Sequence, residues 1–217
     1  MFTNRSAAGR KLFDLLKDWY TSNHLLIAIP NGGVLVAAAL TQNSRQPIYL
    51  CPVHKIHFPI LGNNRYGIGA VDARGRPSLN RPLIEKLNLS EIEVEGYLSR
   101  AKKSLDKQCS ALGDFYFNAS DHIKPIVIVD DGLATGFTIL AAVQYFKDSG
   151  SRDISVIAPV AHQQAIDLLQ TICVTVRVLY TTSEYPYLVD HYYSDFQKVK
   201  DSQVRKILEN NNALSSA

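Results

Sequence analysis

Cysteine is scarce in this chain, and none of its cysteines lies in a pair suited to a metal. Cys51, Cys109 and Cys173 are widely spaced, and no Cys-x-x-Cys motif occurs. This spacing argues against a disulfide framework or a zinc site, so we expect reduced thiols. No cysteine follows Met1, which disfavours a glutamine-dependent amidotransferase.

Long apolar runs and blocks of like charge are also missing. The most apolar stretch, residues 25–40, is interrupted by Pro30-Asn31-Gly32-Gly33 and is too short to span a bilayer. The first residues contain no apolar segment typical of a secretory signal. The formal net charge is only +3 and the basic residues are scattered, which does not indicate nucleic-acid binding. We therefore expect a soluble, cytoplasmic protein with neither a membrane nor a nucleic acid as partner.

Short apolar runs alternate with amphipathic segments along most of the 217 residues. Such alternation is typical of an α/β fold, in which helices cover both faces of a mainly parallel sheet. The predicted strands are 25–29, 47–53, 125–129, 153–158 and 172–179, and the predicted helices are 6–20, 34–40, 90–109, 137–148, 161–170 and 201–209. We predict a single domain over 1–217, with a hairpin near 72–75 inside an insertion at about 55–110, and an aromatic tail from about 181 to 217.

The predicted strand that ends at Val129 leads directly into two carboxylates and a loop of small residues. Asp130 and Asp131 come first, and a helix follows the loop from about Phe137. That order sets free backbone N–H groups and the positive end of a helix beside two carboxylates. N–H groups suit a phosphate, and carboxylates suit sugar hydroxyls or a metal carried by the ligand. The segment therefore indicates a sugar phosphate as ligand.

Two further strand ends carry residues that suit an anion. In an open parallel sheet, ligands bind at the carboxyl ends of the strands. Asn31, Gly32 and Gly33 follow the first strand, and adjacent glycines let the backbone approach a ligand closely. The alternative is a plain tight turn. Lys55 follows the second predicted strand, and here the alternative is an ordinary solvated lysine.

The stretch from Ile126 to Thr138 resembles the phosphoribosyl-diphosphate (PRPP) signature of type I phosphoribosyltransferases. It has the apolar run, the two acidic residues, the small residues and the closing Thr-Gly-x-Thr of that signature. Other stretches resemble an uncharacterised subgroup of predicted phosphoribosyltransferases from bacteria and archaea: Phe2 to Leu16, the Pro-x-Gly-Gly loop, Gly62-Asn63, Gly67 to Val71 and Asp195-Phe196. The resemblance implies a three-layer type I fold with a central, mainly parallel sheet, a small hood formed by the tail, and a mobile loop in the insertion.

The resemblance also implies a role for each candidate residue. Asp130 and Asp131 would be the catalytic pair that holds the ribose hydroxyls. The 5′-phosphate would bind at Ala134, Thr135, Gly136, Phe137 and Thr138; pyrophosphate at Asn31, Gly32, Gly33 and Lys55; and the acceptor base against Tyr187 and Tyr192. Core packing is the alternative role for these tyrosines. Mg²⁺ would arrive on PRPP without direct protein ligands, since it commonly binds through substrate phosphates.

The implied activity is a glycosyl transfer of nucleotide metabolism. A phosphoribosyl group moves from PRPP to a small nitrogenous acceptor through a transition state of oxocarbenium character, pyrophosphate leaves, and a homodimer is expected. Ala134 stands where 6-oxopurine enzymes carry an acidic residue, which disfavours that chemistry.

Two departures from the family pattern favour a different role. Asn31 and His54 stand where relatives commonly carry arginine. The alternative function is therefore a catalytically weak regulatory protein that binds PRPP or a nucleotide. A hydrolase of another α/β class is a remote third reading, because the chain has no Asp-x-Asp strand end and no G-x-S-x-G elbow.

Overall fold

Eight strands and seven α-helices make up the computed structural model, which describes residues 1–42, 44, 46–59, 65–117, 124–172 and 174–215. The strands are β1 (Leu25–Ala28), β2 (Ile48–Leu50), β3 (Val53–Pro59), β4 (Arg65–Asp72), β5 (Pro77–Leu79), β6 (Ile126–Val129), β7 (Ile154–His162) and β8 (Thr175–Thr182). The helices are α1 (Arg5–Leu16), α2 (Gly32–Leu40), α3 (Arg81–Lys86), α4 (Glu91–Leu112), α5 (Phe137–Lys147), α6 (Gln163–Gln170) and α7 (Asp201–Ser215).

The central sheet has five parallel strands in the order β2-β1-β6-β7-β8. Every residue of β6 and β7 is buried, as expected for strands covered on both faces. β1 and β6 run side by side, with Ala28 opposite Val129, so the segments after both strands emerge at the same edge. This arrangement confirms the predicted α/β class and brings two of the predicted ligand loops together.

Alternate residues of the central strands point into two separate apolar layers. Leu26, Ala28 and Val129 pack with α1, α2 and α7 on one face. Ile27 and Ile128 pack on the other face with α5 and α6 and with residues of β3 and β4. The sheet is therefore buried on both sides, with the ligand loops at its edge.

The insertion differs from the prediction at its start. The single strand predicted over 47–53 is two strands, because the chain leaves the parallel sheet at Pro52, which has no N–H to donate. β3, β4 and β5 form a separate antiparallel sheet. The predicted hairpin near 72–75 is confirmed as the β4–β5 turn. His54 and Lys55 therefore lie within β3, not in a loop at the edge of the parallel sheet.

Several helix bounds also differ from the prediction. α4 begins as predicted, at the capping box of Ser90 and Glu93, and packs on the antiparallel sheet. α6 begins later than predicted because β7 continues to His162, and α7 continues to Ser215. α3 was not predicted. In the described part of the chain no helix has both the length and the apolar character needed to cross a membrane. Cys51 and Cys109 are free thiols, whereas Cys173, Gly62 and Asn63 lie outside the described residues.

Candidate functional site

A cleft of about 900 Å³ opens at the carboxyl edge of the parallel sheet. Its walls come from five parts of the chain that are far apart in sequence: α1, the β1–α2 connection, the β3–α4 region, the β6–α5 connection and the tail. Predicted site residues that line it are Asn31, Gly32, Lys55, Asp130, Asp131 and Thr138. The fold thus assembles the acid pair, both helix starts and the lysine around one space.

α5 begins beside the acid pair without a side-chain cap. Its N-cap is Gly136, which has φ 81° and no side chain that could cap the helix. A Cβ at Gly136 would be strained at this φ and would lie 3.2 Å from Ala165 Cα. Thr138 lines the cleft, whereas half-buried Ala134 and Thr135 in the turn and half-buried Phe137 at the start of α5 do not. The first N–H groups of α5 are therefore free to bind an anion.

α2 also begins beside the acid pair without a side-chain cap. Asn31 is its N-cap and makes no side-chain capping bond, and the Pro30–Asn31 peptide is cis. Gly33 packs against β6, where a Cβ would lie 2.5 Å from the Val129 carbonyl oxygen. A Cβ on Gly32 would lie 1.9 Å from the Asp131 carboxylate. Both glycines are required for this close approach, which is compatible with a ligand loop and with a plain tight turn.

The Asn31 side chain is bonded to the protein on both of its polar atoms. Its Nδ2 donates to Asp201 Oδ1 at 2.8 Å and to the Val199 carbonyl at 2.9 Å. Its Oδ1 accepts from Gln108 Nε2 at 2.7 Å. The side chain therefore ties the α2 loop to α4 and α7, and the loop's N–H groups are the part that can face a ligand.

The two carboxyl groups have different surroundings. Asp130 Oδ1 accepts the Asp131 backbone N–H at 2.8 Å. Burial and then the neighbouring Asp131 charge raise the pKa of Asp130 well above its ordinary value, and Lys55 opposes this only in part. Asp130 is half-buried and borders the cleft. The pair therefore carries less than two full negative charges over part of the pH range.

The raised pKa of Asp130 predicts a pH-dependent loss of stability. Above about pH 3.9 the unfolded chain loses this proton while the folded chain keeps it, so stability falls as pH rises toward the folded pKa. We expect wild type to lose up to about 1.4 kcal/mol per pH unit relative to Asp130→Asn in that window. Urea unfolding of both proteins from pH 4 to pH 8 measures the difference. His54, whose pKa burial lowers, has the opposite effect but is common to both proteins. Parallel stability curves would contradict the assignment.

Asp131 is paired with a buried arginine from α1. Arg5 Nε donates to Asp131 Oδ2 at 2.6 Å, and Arg5 Nη1 donates to the Gln197 carbonyl at 2.9 Å. The guanidinium lies 3.6 Å from the centre of the Phe196 ring. Tyr193 donates from its hydroxyl to the Asp131 carbonyl at 2.6 Å. Asp131 is thus held both by Arg5 of α1 and by Tyr193 of the tail.

The two predicted base-stacking tyrosines lie outside the cleft lining. Tyr187 and Tyr192 contact each other with ring centroids 5.5 Å apart, and Tyr187 also contacts His162 at 5.5 Å. The tail residues that do line the cleft are Val189, Asp190, Phe196, Lys198, Val199 and Asp201. The tail therefore borders the cleft. Val189 and Asp190, which lie between the two tyrosines in the sequence, are part of that border.

Sequence reasoning missed Arg5, Gln108 and Asp201. Asp195-Phe196 entered only as part of the family resemblance, and no local pattern marks Arg5 as the partner of an acid so far along the chain. For a metal, the described residues contain no group of three or more His, Cys, Asp or Glu side chains that could hold an ion. The Asp pair offers oxygen ligands of the kind Mg²⁺ prefers, too few for a protein cage but suited to an ion held mainly by phosphates.

Comparison with known proteins agrees with this architecture, although no family model matches the chain. Two curated proteins of Mycobacterium tuberculosis, from strains CDC 1551 / Oshkosh and ATCC 25618 / H37Rv, are provisionally named phosphoribosyl transferases. Each is 24% identical over 218 residues, covering 96% of this chain and 46% of the relative. The chain thus spans about half the length of the curated relatives it matches.

Solved structures share the fold. A Thermus thermophilus protein of known crystal structure is 27% identical, with a TM-score of 0.72 over 96% of this chain and 98% of that one. An Aquifex aeolicus protein is 12% identical, with a TM-score of 0.50 over 82% of this chain and 74% of that one. These similarities confirm the predicted fold class and the resemblance to proteins named as phosphoribosyl transferases.

Proposed function

We propose, from its resemblance to phosphoribosyltransferases, that this protein transfers a 5-phosphoribosyl group from PRPP to a nitrogen atom of a small acceptor. Pyrophosphate is the leaving group. One observation carries the proposal: two helix N-termini without side-chain caps border the same cleft as a carboxylate pair. A molecule with an anion at each end and hydroxyls between them matches that layout.

Each part of PRPP has a matching element in the cleft. The 5′-phosphate would bind the N–H groups at the start of α5, together with the Thr138 hydroxyl. The pyrophosphate would bind the N–H groups at the start of α2 and the Lys55 ammonium. The ribose hydroxyls would bind Asp131, whose carboxylate is oriented by Arg5, and Asp130. The close approach of Gly32 to Asp131 supports a donor that bridges the two loops.

The chemistry needs no protein nucleophile. The acceptor nitrogen attacks ribose C1′ as the bond to pyrophosphate breaks, and positive charge develops on the sugar. The Asp131 carboxylate beside the ribose would favour that charge, while the α2 N–H groups and Lys55 support the leaving pyrophosphate. Mg²⁺, held by the donor's phosphates with the Asp pair nearby, would supply further neutralisation of the pyrophosphate. The protein's own part is to position both substrates and to exclude water.

A regulatory PRPP- or nucleotide-binding protein remains the second candidate. The Asn31 side chain favours it, because an amide carries no charge and its polar atoms already bond to Gln108 and Asp201. Loss of a charge-assisted contact weakens binding by roughly tenfold to a hundredfold. The two candidates share the donor site and differ in turnover.

Calorimetric titration with PRPP, with and without Mg²⁺, tests the shared donor site first. Pyrophosphate release is then followed across a panel of nitrogenous bases and amines. Mg²⁺-dependent binding with release for one acceptor is the result we expect. Binding without release for any acceptor would favour the regulatory candidate, and no binding of PRPP would overturn both. Sedimentation of the same samples tests the predicted homodimer.

Replacement of Thr138 by valine should weaken PRPP binding without unfolding the protein. Thr138 lines the cleft at the start of α5, and a hydrogen bond from its hydroxyl to a charged group would contribute about 1.5–3 kcal/mol. We therefore expect a loss of affinity of roughly tenfold to a hundredfold by calorimetry. Thr175→Val, at the exposed start of β8, is the matched control and should bind PRPP as wild type does. Equal affinity of the Thr138 variant and wild type would contradict the 5′-phosphate assignment.

A further inference from the structure

A second cleft of about 340 Å³ lies beside the large one, between β3 and α4. We call it the β3–α4 groove. Its lining residues are His54, Lys55, His57 and Pro59 from β3 and Tyr97, Arg100, Ala101 and Ser104 from α4. Four of them also line the large cleft, namely His54, Lys55, His57 and Ser104. The groove therefore adjoins the candidate site and extends it along α4.

The charge of the groove is of one sign. Lysine, arginine and two imidazoles line it with two hydroxyl-bearing side chains, and no described lining residue carries a carboxyl group. The large cleft, in contrast, includes Asp130, Asp131, Asp190 and Asp201. Neither Lys55 nor Arg100 takes part in an ion pair with any residue that the structure describes. Arg100 thus has no paired carboxylate, and the basic side chains that line the groove with it favour an anion there.

Arg100 is held in place on α4. Its Nε donates to the Gly96 carbonyl at 3.1 Å, and its guanidinium lies 4.5 Å from the centre of the Tyr97 ring. Tyr97 in turn packs edge-on against Phe58 of β3, with ring centroids 5.6 Å apart. These contacts leave both Nη groups of Arg100 without a hydrogen-bond partner in the described chain. A planar guanidinium fixed in this way matches the oxygen geometry of a phosphate.

We propose that the β3–α4 groove binds the phosphate group of a second small molecule, alongside the donor. The starts of α2 and α5 already account for both anionic ends of PRPP, so the groove is a third anion site. The inference goes beyond the proposed transferase activity and does not require it. The phosphate is either free inorganic phosphate or a phosphate ester on an organic molecule, and both forms share the chemistry that Arg100 recognises. Lys55 lies on the border of the groove and the large cleft.

Phosphate titrations of the full chain and of Arg100→Gln test this site. Lys103→Gln is the matched control, because Lys103 is exposed on the same helix and lines neither cleft. Inorganic phosphate and phenyl phosphate are titrated separately, first without PRPP by NMR of the His54 and His57 ring signals, and then with Mg²⁺ and saturating PRPP by calorimetry. We expect Arg100→Gln to weaken phosphate binding roughly tenfold to a hundredfold, and Lys103→Gln to leave it unchanged.

The outcomes separate this site from the donor site. Phosphate binding that depends on Arg100, in the absence of any PRPP binding, would uphold the groove and overturn the transferase proposal. If the protein binds PRPP and phosphate affinity is equal in wild type and Arg100→Gln, the proposed phosphate site in the groove is overturned and the transferase proposal is left intact. The absence of phosphate binding under both conditions would also overturn the groove. If binding depends on Arg100, the tighter of the two probes identifies whether free phosphate or an ester is the preferred form.

Discussion

Replacement of Arg5 by leucine is expected to lower the free energy of unfolding by about 3 kcal/mol or more. The cause is the carboxylate left behind. Arg5 and Asp131 side chains are only 8% and 15% exposed, so Asp131 would keep its charge with little water to solvate it. Arg5 also holds the Gln197 carbonyl and packs on Phe196, so the tail would lose its attachment to the cleft. PRPP affinity should fall with stability, because the ribose acid loses its orientation.

A double-mutant cycle in urea isolates the ion pair from these other contacts. Arg5→Leu, Asp131→Asn and the double variant are compared with wild type. The double variant should lose less unfolding free energy than the two single variants lose in sum, because it leaves no unpaired buried charge. Arg10→Leu on the same helix is the control, since Arg10 is exposed and its replacement should stay within about 0.5 kcal/mol of wild type. If the two single losses of unfolding free energy add up to the loss in the double variant, the ion pair itself contributes nothing to stability.

Addition of one methyl group at Gly33 should damage both the fold and the donor site. An alanine Cβ there would lie 2.5 Å from the Val129 carbonyl oxygen and 3.1 Å from Asp130 Cα. Both are main-chain atoms at the end of β6, so no side-chain rotation can relieve the overlap. We expect a loss of about 3 kcal/mol in the free energy of unfolding, the upper part of the range for overpacking. The start of α2 would also move away from the acid pair, and PRPP affinity should fall more than tenfold.

Gly96→Ala is the matched control for this substitution. Gly96 lies inside α4, and a Cβ there would meet no atom within 4 Å. Alanine is the better helix former by about 1 kcal/mol, so this variant should be more stable than wild type. Thermal and urea unfolding of both variants distinguish a general effect of glycine replacement from the close approach at Gly33. A stable Gly33→Ala protein with normal PRPP affinity would contradict the packing described for the α2 loop.

The features predicted correctly from sequence are those encoded locally. The strand that ends before the acid pair and the starts of α4 and α5 each depend on a few adjacent residues, and all three occur where expected. The break at Pro52 was not predicted, because the apolar pattern from Ile48 to Val53 is the same for one strand as for two strands in different sheets. The reading of residues 1–217 as one domain stays a prediction.

The partners of the site residues could not be predicted, because they lie far away along the chain. Arg5 and Asp131 are separated by 126 residues, Gln108 and Asn31 by 77, and Asp201 and Asn31 by 170. No spacing rule connects such positions in a single sequence. The Asn31 side chain illustrates the effect, since its position suggested a ligand contact whereas its amide is used to join three segments of the protein.

The bond between Asn31 and Asp201 has a consequence for protein synthesis. A chain leaves the ribosome from its N-terminus at about 5–20 residues per second, and early segments can fold before late ones appear. The α2 loop is made early, yet one of its anchors lies at the start of α7. A nascent chain that lacks residue 201 can therefore form much of the parallel sheet while its donor loop stays unanchored. The α2 loop would then reach its final position only once that late segment has emerged.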